Sequence, residues 1–217
     1  MYKRQVALLT LNRPDRRNAL STELREQGSR LLGELAADET VGALVVTGAG
    51  TTFSAGFDLR EFEQAAGDED FGRRLWASSD EWHRRWIEFP VPTVAAVNGP
   101  AIAGGFDVAV MCDLRVVAES ACFAHPEIAF GDVVYGPLHD LVGGAAARDL
   151  CFTGRRIDAA EAERLGLVTV LVPDAQVLDE ALGLAAGVAS APREVLVRTK
   201  AKAVRRAGTA PGGTLDL

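Results

Sequence analysis

The stretch Asn98-Gly99-Pro100-Ala101-Ile102-Ala103-Gly104-Gly105-Phe106-Asp107 decides how this chain is read. It follows an apolar strand-like run, Thr93 to Val97, turns on small residues and enters a helix-forming segment, Ala103 to Cys112. A Gly-Gly pair at a helix start lets a ligand oxygen approach unpaired backbone N–H groups at the positive end of the helix dipole. Asp107 stands three residues after Gly104, so helical spacing puts its carboxylate on the face of the exposed amide. The stretch therefore pairs an anion site with an acid or base.

Working outward, Gln5 to Leu11 alternates and is rich in β-formers, Ser21 to Ala37 has helical spacing behind a Ser21 cap, and Ala43 to Thr47 is a short apolar strand. A loop from Thr52 to Leu59 follows, and Asp68 to Glu88 forms a long helix that stops before Pro90. Downstream come strands at Leu114–Ala118 and Val168–Val172, an extended piece at Ala121–Ala124, and helices at Pro137–Cys151, Asp158–Leu165, Asp174–Ala189 and Pro192–Arg206. Alternating strands and helices predict an α/β fold with a parallel sheet. Residues 1–206 are expected to form one domain, and Ala207 to Leu217, with Pro211-Gly212-Gly213, a flexible tail.

Composition narrows the function. A chain of 217 residues with 48% hydrophobic content can bury a large core. No apolar run approaches the roughly 18 residues of a membrane span, and Met1 to Gln5 leads into a strand rather than a signal-peptide core, so a cytoplasmic location is expected. Cys112, Cys122 and Cys151 are odd in number and widely spaced, which predicts buried free thiols rather than disulfides or a zinc ribbon. A net charge of −7 opposes a nucleic-acid surface. His83 and His139 lack partners at metal-ligand spacing, and no HExxH, GxSxG or GxxxxGK[ST] occurs; no metal site is expected.

Two glycine turns then stand out, Ser54-Ala55-Gly56-Phe57 after the second strand and Ala103-Gly104-Gly105 after the third. Loops at the carboxyl ends of neighbouring parallel strands converge, so one N–H from each can meet a single carbonyl oxygen; glycine at such turns also serves geometry alone. A third element, Phe123-Ala124-His125-Pro126-Glu127-Ile128, offers Glu127 as a second carboxylate. Paired carboxylates suit proton chemistry, although helix caps or salt bridges use the same residues.

These motifs resemble the enoyl-CoA hydratase/isomerase, or crotonase, family. The resemblance runs from about Val6 to Lys202 through Leu9-Thr10-Leu11-Asn12-Arg13-Pro14, Asn18-Ala19-Leu20, Phe53-Ser54-Ala55-Gly56-Phe57-Asp58-Leu59, Pro92 to Asp107, Met111-Cys112-Asp113-Leu114-Arg115, Pro126-Glu127 and Thr153 to Ala162. It implies a crotonase-like spiral of β-β-α repeats to about residue 172, followed by a shortened C-terminal helical region at 174–206. It also implies that the amides of Phe57 and Gly104 hold a thioester oxygen and that Asp107 and Glu127 occupy the two catalytic acid positions. Arg16, with the backbone near Ala55, Asp58 and Leu59, would contact coenzyme A, which enters as part of an acyl-CoA substrate with no further cofactor. A homotrimer or hexamer is usual for the family.

Hydratases of the family usually carry Glu at both acid positions, and the first is Asp here. The expected activity is hydration of a 2-enoyl-CoA; double-bond isomerisation through Glu127, or acyl-CoA binding by a non-catalytic subunit, are the alternatives. His125 can tune Glu127, line the acyl pocket or pack, and packing is the expectation. The segment Gly131 to Asp140 departs from the family wording and would shape the acyl pocket.

Overall fold

A computed structural model describes residues 5–208. It opens with β1 (Gln5–Leu11), α1 (Thr22–Ala37) and β2 (Val41–Gly48), continues with α2 (Leu59–Gly67) and α3 (Glu69–Ile87), and then runs through β3 (Thr93–Val97), β4 (Ala101–Ile102) and α4 (Gly104–Met111). After these come β5 (Leu114–Ala118), β6 (Cys122–Ala124), α5 (Gly136–Thr153), β7 (Ile157–Asp158), α6 (Ala159–Arg164), β8 (Val170–Val172), α7 (Val177–Ala189) and α8 (Arg193–Ala207). Residues 209–217 of the expected tail lie outside the described region, whereas Ala207 ends α8.

The main sheet is all-parallel in the order β1-β2-β3-β5-β8. A second layer pairs β4 with β6 in parallel and β6 with β7 antiparallel. Isolated bridges continue that layer, Leu20 to Phe57 and Ser54 to Ala101. Successive stretches thus give one strand to the main sheet and a short piece to the second layer before a helix returns, which is the expected β-β-α spiral.

Every residue of β2 and β3 is buried, as continuous apolar strands covered on both faces should be. Trp82 and Trp86, edge to face at 5.5 Å, fill the space under α3, and α1 approaches so closely that a Cβ on Gly28 would lie 2.3 Å from the Trp82 ring. Each such fully buried large side chain contributes about 1.5–3 kcal/mol. Helix α8 is fastened to this core by Lys200, whose Nζ donates to Asp113 Oδ2 at 2.8 Å and to the Val91 carbonyl at 3.1 Å.

Several local features differ from expectation: the strand expected at Val168–Val172 covers only Val170–Val172, and the short strands β4 and β7 stand in segments that read as a turn and a loop. Helix α2 begins at Leu59 within what reads as the end of a loop; Asp58 precedes it without capping it, because its carboxylate accepts from Arg13 Nη2 at 3.0 Å, so no cap signal marks the start. Helix α5 runs two residues past its expected end, and Gly143 (φ 76, ψ 164) breaks it into two segments. No described helix is long and apolar enough to cross a membrane.

Candidate active site

The two-residue pairing of β4 with β6 assembles the site. Ala101 opposes Phe123, Ile102 opposes Ala124, and the Ala103 N–H donates to the Ala124 carbonyl at 2.9 Å. The next residues on one side start α4, and those on the other are His125, Pro126 and Glu127, the last two in a 3-10 turn over Pro126–Ala129. Asp107 and Glu127, twenty residues apart in the chain, meet for this reason.

Between the two acids lies His125. Its Nδ1 is 2.9 Å from Glu127 Oε1 and 3.7 Å from Asp107 Oδ1. On the far side of Asp107, His83 Nε2 stands 3.7 Å from Oδ2, while His83 Nδ1 lies 2.8 Å from the Ser79 carbonyl, which can only accept. His125 is 1% exposed and Asp107 6%, so this row of imidazole, carboxylate, imidazole and carboxylate is buried as far as His125 and reaches solvent at Glu127, whose side chain is 13% exposed. Burial pulls the His125 pKa down, but the hydrogen bond to Glu127 and the charges of Asp107 and Glu127 outweigh it, so the net shift is upward from 6.5. Asp107 Oδ1, Glu127 Oε2 and His125 Nε2 have no hydrogen-bond partner among the described residues, an exposed cost of the kind found at functional sites.

The same three residues bring atoms of metal-ligating type within 4.8 Å of one another. The 2.9 Å between His125 Nδ1 and Glu127 Oε1 is the separation of a hydrogen bond, one in which a proton is shared. The cluster thus suits proton chemistry.

The glycine turns also converge. Phe53 and Ser54 N–H groups donate to the Pro100 carbonyl and Ile102 N–H to the Ser54 carbonyl, zipping the two loops together. Gly56 has φ +86, and a Cβ there would lie 2.7 Å from Ala103 Cβ and 3.1 Å from the Gly104 nitrogen. A Cβ on Gly104 would lie 2.8 Å from the Phe57 ring. Ala103 holds φ 51 and ψ −130, a conformation costly for alanine that aims the following peptide into the site. Among the described residues neither the Phe57 nor the Gly104 amide donates to a backbone carbonyl.

The Phe57 ring has a cationic and an aromatic neighbour. The Arg25 guanidinium sits 4.2 Å from its centroid, Phe62 stacks at 6.2 Å and Trp76 meets Phe62 edge-on at 6.1 Å, a row that leads outward to the exposed indole. Arg25 is fully buried, donating to the Leu20 and Leu75 carbonyls and the hydroxyls of Thr22 and Ser78. Burial lowers its pKa to about 10, partly opposed by Glu61 and Glu26, and leaves it charged at neutral pH.

The remaining expected residues lie along one rim. Ala55 N–H donates to the Arg17 carbonyl, Leu20 N–H to the Gly56 carbonyl and Arg13 to Asp58, so the turn bearing Arg16 is tied to the loop bearing Ala55, Asp58 and Leu59. Arg16 and Leu59 are exposed, Ala55 and Asp58 half-buried. Two clefts, of about 330 Å³ beside Leu9–Arg13 and α1 and about 350 Å³ between α5 and α8, touch neither Asp107 nor Glu127. The expectation that His125 packs holds, since it stacks on Phe106 at 4.6 Å, but the same ring also bonds Glu127. Sequence reasoning weighed His83 only as a metal ligand and passed over Arg25. Both sit on the buried stripe of a helix, Arg25 between Thr22 and Gly28 and His83 among Ser79, Trp82 and Trp86, and a charged or titratable residue in such a stripe was the available signal.

A parallel-sheet spiral with two converging glycine turns and two acids gathered at one imidazole defines a protein of the crotonase class. The profile of the enoyl-CoA hydratase/isomerase family matches residues 2–212, and the chain belongs to that family. It is 44% identical to a Thermus thermophilus protein provisionally named an enoyl-CoA hydratase, over 86% of this chain and 76% of the relative. Identity to the short-chain-enoyl-CoA hydratase of Clostridium acetobutylicum is 35%, over 93% and 78%. The crystal structure of the Bacillus anthracis enoyl-CoA hydratase superposes with a TM-score of 0.86 at 30% identity, covering 94% of this chain and 81% of that one.

Proposed function

We propose that the protein is an enoyl-CoA hydratase, which adds water across the double bond of a 2-enoyl-CoA. The observation that carries this reading is the placement of Asp107, buried in the first turn of α4, and Glu127, half-buried on its 3-10 turn, around Nδ1 of His125, each with an unpartnered oxygen. The Phe57 and Gly104 amides bind the thioester oxygen. Asp107 holds the attacking water and takes its proton as the new C–O bond forms at the β carbon; the double-bond electrons move toward the thioester oxygen as an enolate, and Glu127 delivers a proton to the α carbon. Each oxyanion donor of this kind is typically worth about 3 kcal/mol of the barrier. One methylene shorter than glutamate, Asp107 stands 3.7 Å from both His83 Nε2 and His125 Nδ1 and is free to turn its carboxyl toward the water.

Arg16 and the backbone at Ala55, Asp58 and Leu59 support the coenzyme A portion, and no cofactor beyond that portion of the substrate takes part. The Phe130 and Phe152 rings, each 70% exposed, suit a surface covered by further copies in a trimer or hexamer. The test is loss of the conjugated enoyl absorbance of crotonyl-CoA with wild-type protein and Glu127→Gln side by side. Hydration that the variant loses supports the reading; a variant as fast as wild type contradicts it.

A further inference from the structure

Hydration by two carboxylates leaves them in the wrong protonation states for the next cycle. Asp107 has gained the proton of water and Glu127 has given its own away, and while Glu127 keeps some exposure, Asp107 is buried and faces the His125 ring. We infer that His125 returns the proton, passing it from Asp107 to Glu127 through the single atom Nδ1 that faces both. The inference rests on the hydratase reading of the same site.

The geometry is specific. Nδ1 is the ring atom within hydrogen-bond distance of Glu127 Oε1 and is also the atom 3.7 Å from Asp107 Oδ1, a gap that rotation of the short aspartate carboxyl can close. The transfer balances at every atom. With the ring as imidazolium, the Nδ1–H proton moves to Oε1, breaking N–H, forming O–H and leaving neutral imidazole; the proton on Asp107 Oδ1 then moves to Nδ1, breaking O–H and restoring the imidazolium. Nothing is oxidised, and the ring ends as it began.

The charged groups that act on His125 come from two elements, Asp107 on α4 and Glu127 on its own 3-10 turn; Cys151 on α5, within the field of both acids, has its thiol pushed up to about 11 by burial and so stays neutral. His83 on α3 reaches the row through Asp107. The upward pull of two carboxylates on His125 agrees with a proton held between them. Stacking on Phe106 fixes the ring plane, so His125 is a positioning residue that acts through the two acids.

The test is His125→Asn, whose side-chain amide can stand near Nδ1 and donate to Glu127 but cannot relay a proton. The expected result is kcat for crotonyl-CoA hydration at least about tenfold lower, KM within about twofold, and loss of the basic-side limb of the wild-type pH profile. An unchanged kcat and pH profile would overturn the inference while leaving the hydratase reading intact. Should the variant misfold or crotonyl-CoA not turn over, nitrogen NMR of the His125 ring decides without catalysis. A ring that titrates above 6.5 in wild type and lower in both Asp107→Asn and Glu127→Gln supports the shared proton, and indifference to Asp107→Asn contradicts it.

Discussion

Glu127 Oε1 and His125 Nδ1 share a hydrogen bond of 2.9 Å inside a site where the imidazole is almost wholly buried. The His125 pKa is raised in the folded protein, so the imidazolium contributes stability that is fully present below the unfolded value near 6.5 and is lost as pH rises through the higher folded value. Urea titrations of wild type and His125→Asn should therefore differ most in mildly acidic buffer and converge at alkaline pH. A constant difference across pH would show that only packing was lost.

The contribution of Asp107 separates hydration from isomerisation. In a hydratase, Asp107→Asn should lower kcat by about 10- to 100-fold, and Glu127→Gln by about 100-fold or more. Steady-state assays with 2-enoyl and 3-enoyl thioesters check this. Conversion of the 3-enoyl substrate that survives Asp107→Asn and dies with Glu127→Gln would favour isomerisation.

Gly56 controls how closely the two glycine turns meet. Its φ of +86 and the 2.7 Å and 2.9 Å contacts that a methyl would make with Ala103 Cβ and the Ile102 carbonyl predict that Gly56→Ala costs at least about 2 kcal/mol. The loops can relieve the clash only by separating, so kcat should fall by more than tenfold in the protein that still folds. Thermal melts and assays on the soluble fraction would measure both.

Arg25 supports the ring of Phe57 from behind. Arg25→Met keeps much of the volume but strands the Leu20 and Leu75 carbonyls, and should cost about 2–3 kcal/mol by denaturant titration. Loss of the cation over Phe57 frees the ring next to its own amide, so kcat should fall with the stability. A destabilised variant with full kcat would confine Arg25 to folding.

Lys200 offers a contrast away from the chemistry. Its removal in Lys200→Ala leaves Asp113 with the Thr93 N–H and hydroxyl as donors, so the loss should be about 1–3 kcal/mol. Activity per folded molecule should be unchanged, which equilibrium unfolding and kcat together can establish.

Much of this architecture was legible from residues alone. Gln5–Leu11, Thr93–Val97 and Leu114–Ala118 are strands at their expected bounds, since apolar runs flanked by turn residues have few other readings. Ser21 and Asp68 cap the helices they were expected to begin, each accepting the backbone N–H three residues on. The convergence of Phe57 with Gly104 was likewise foreseeable from parallel neighbours. Helix α2 was not, because it buries no residue completely and its preceding aspartate serves Arg13 instead of a cap. The roles of His83 and Arg25 were hidden for a different reason: each depends on a partner from a distant element, Asp107 or Phe57, which helical periodicity does not reveal.

The central claim, that these two carboxylates add water to an enoyl thioester held at Phe57 and Gly104, is tested most directly by incubating crotonyl-CoA with the protein in deuterium oxide and reading the product by NMR. The account predicts 3-hydroxybutyryl-CoA carrying deuterium at the α carbon, formed by wild type and not by Glu127→Gln. Thioester that binds yet stays unhydrated, or hydration that persists in Glu127→Gln, would contradict it.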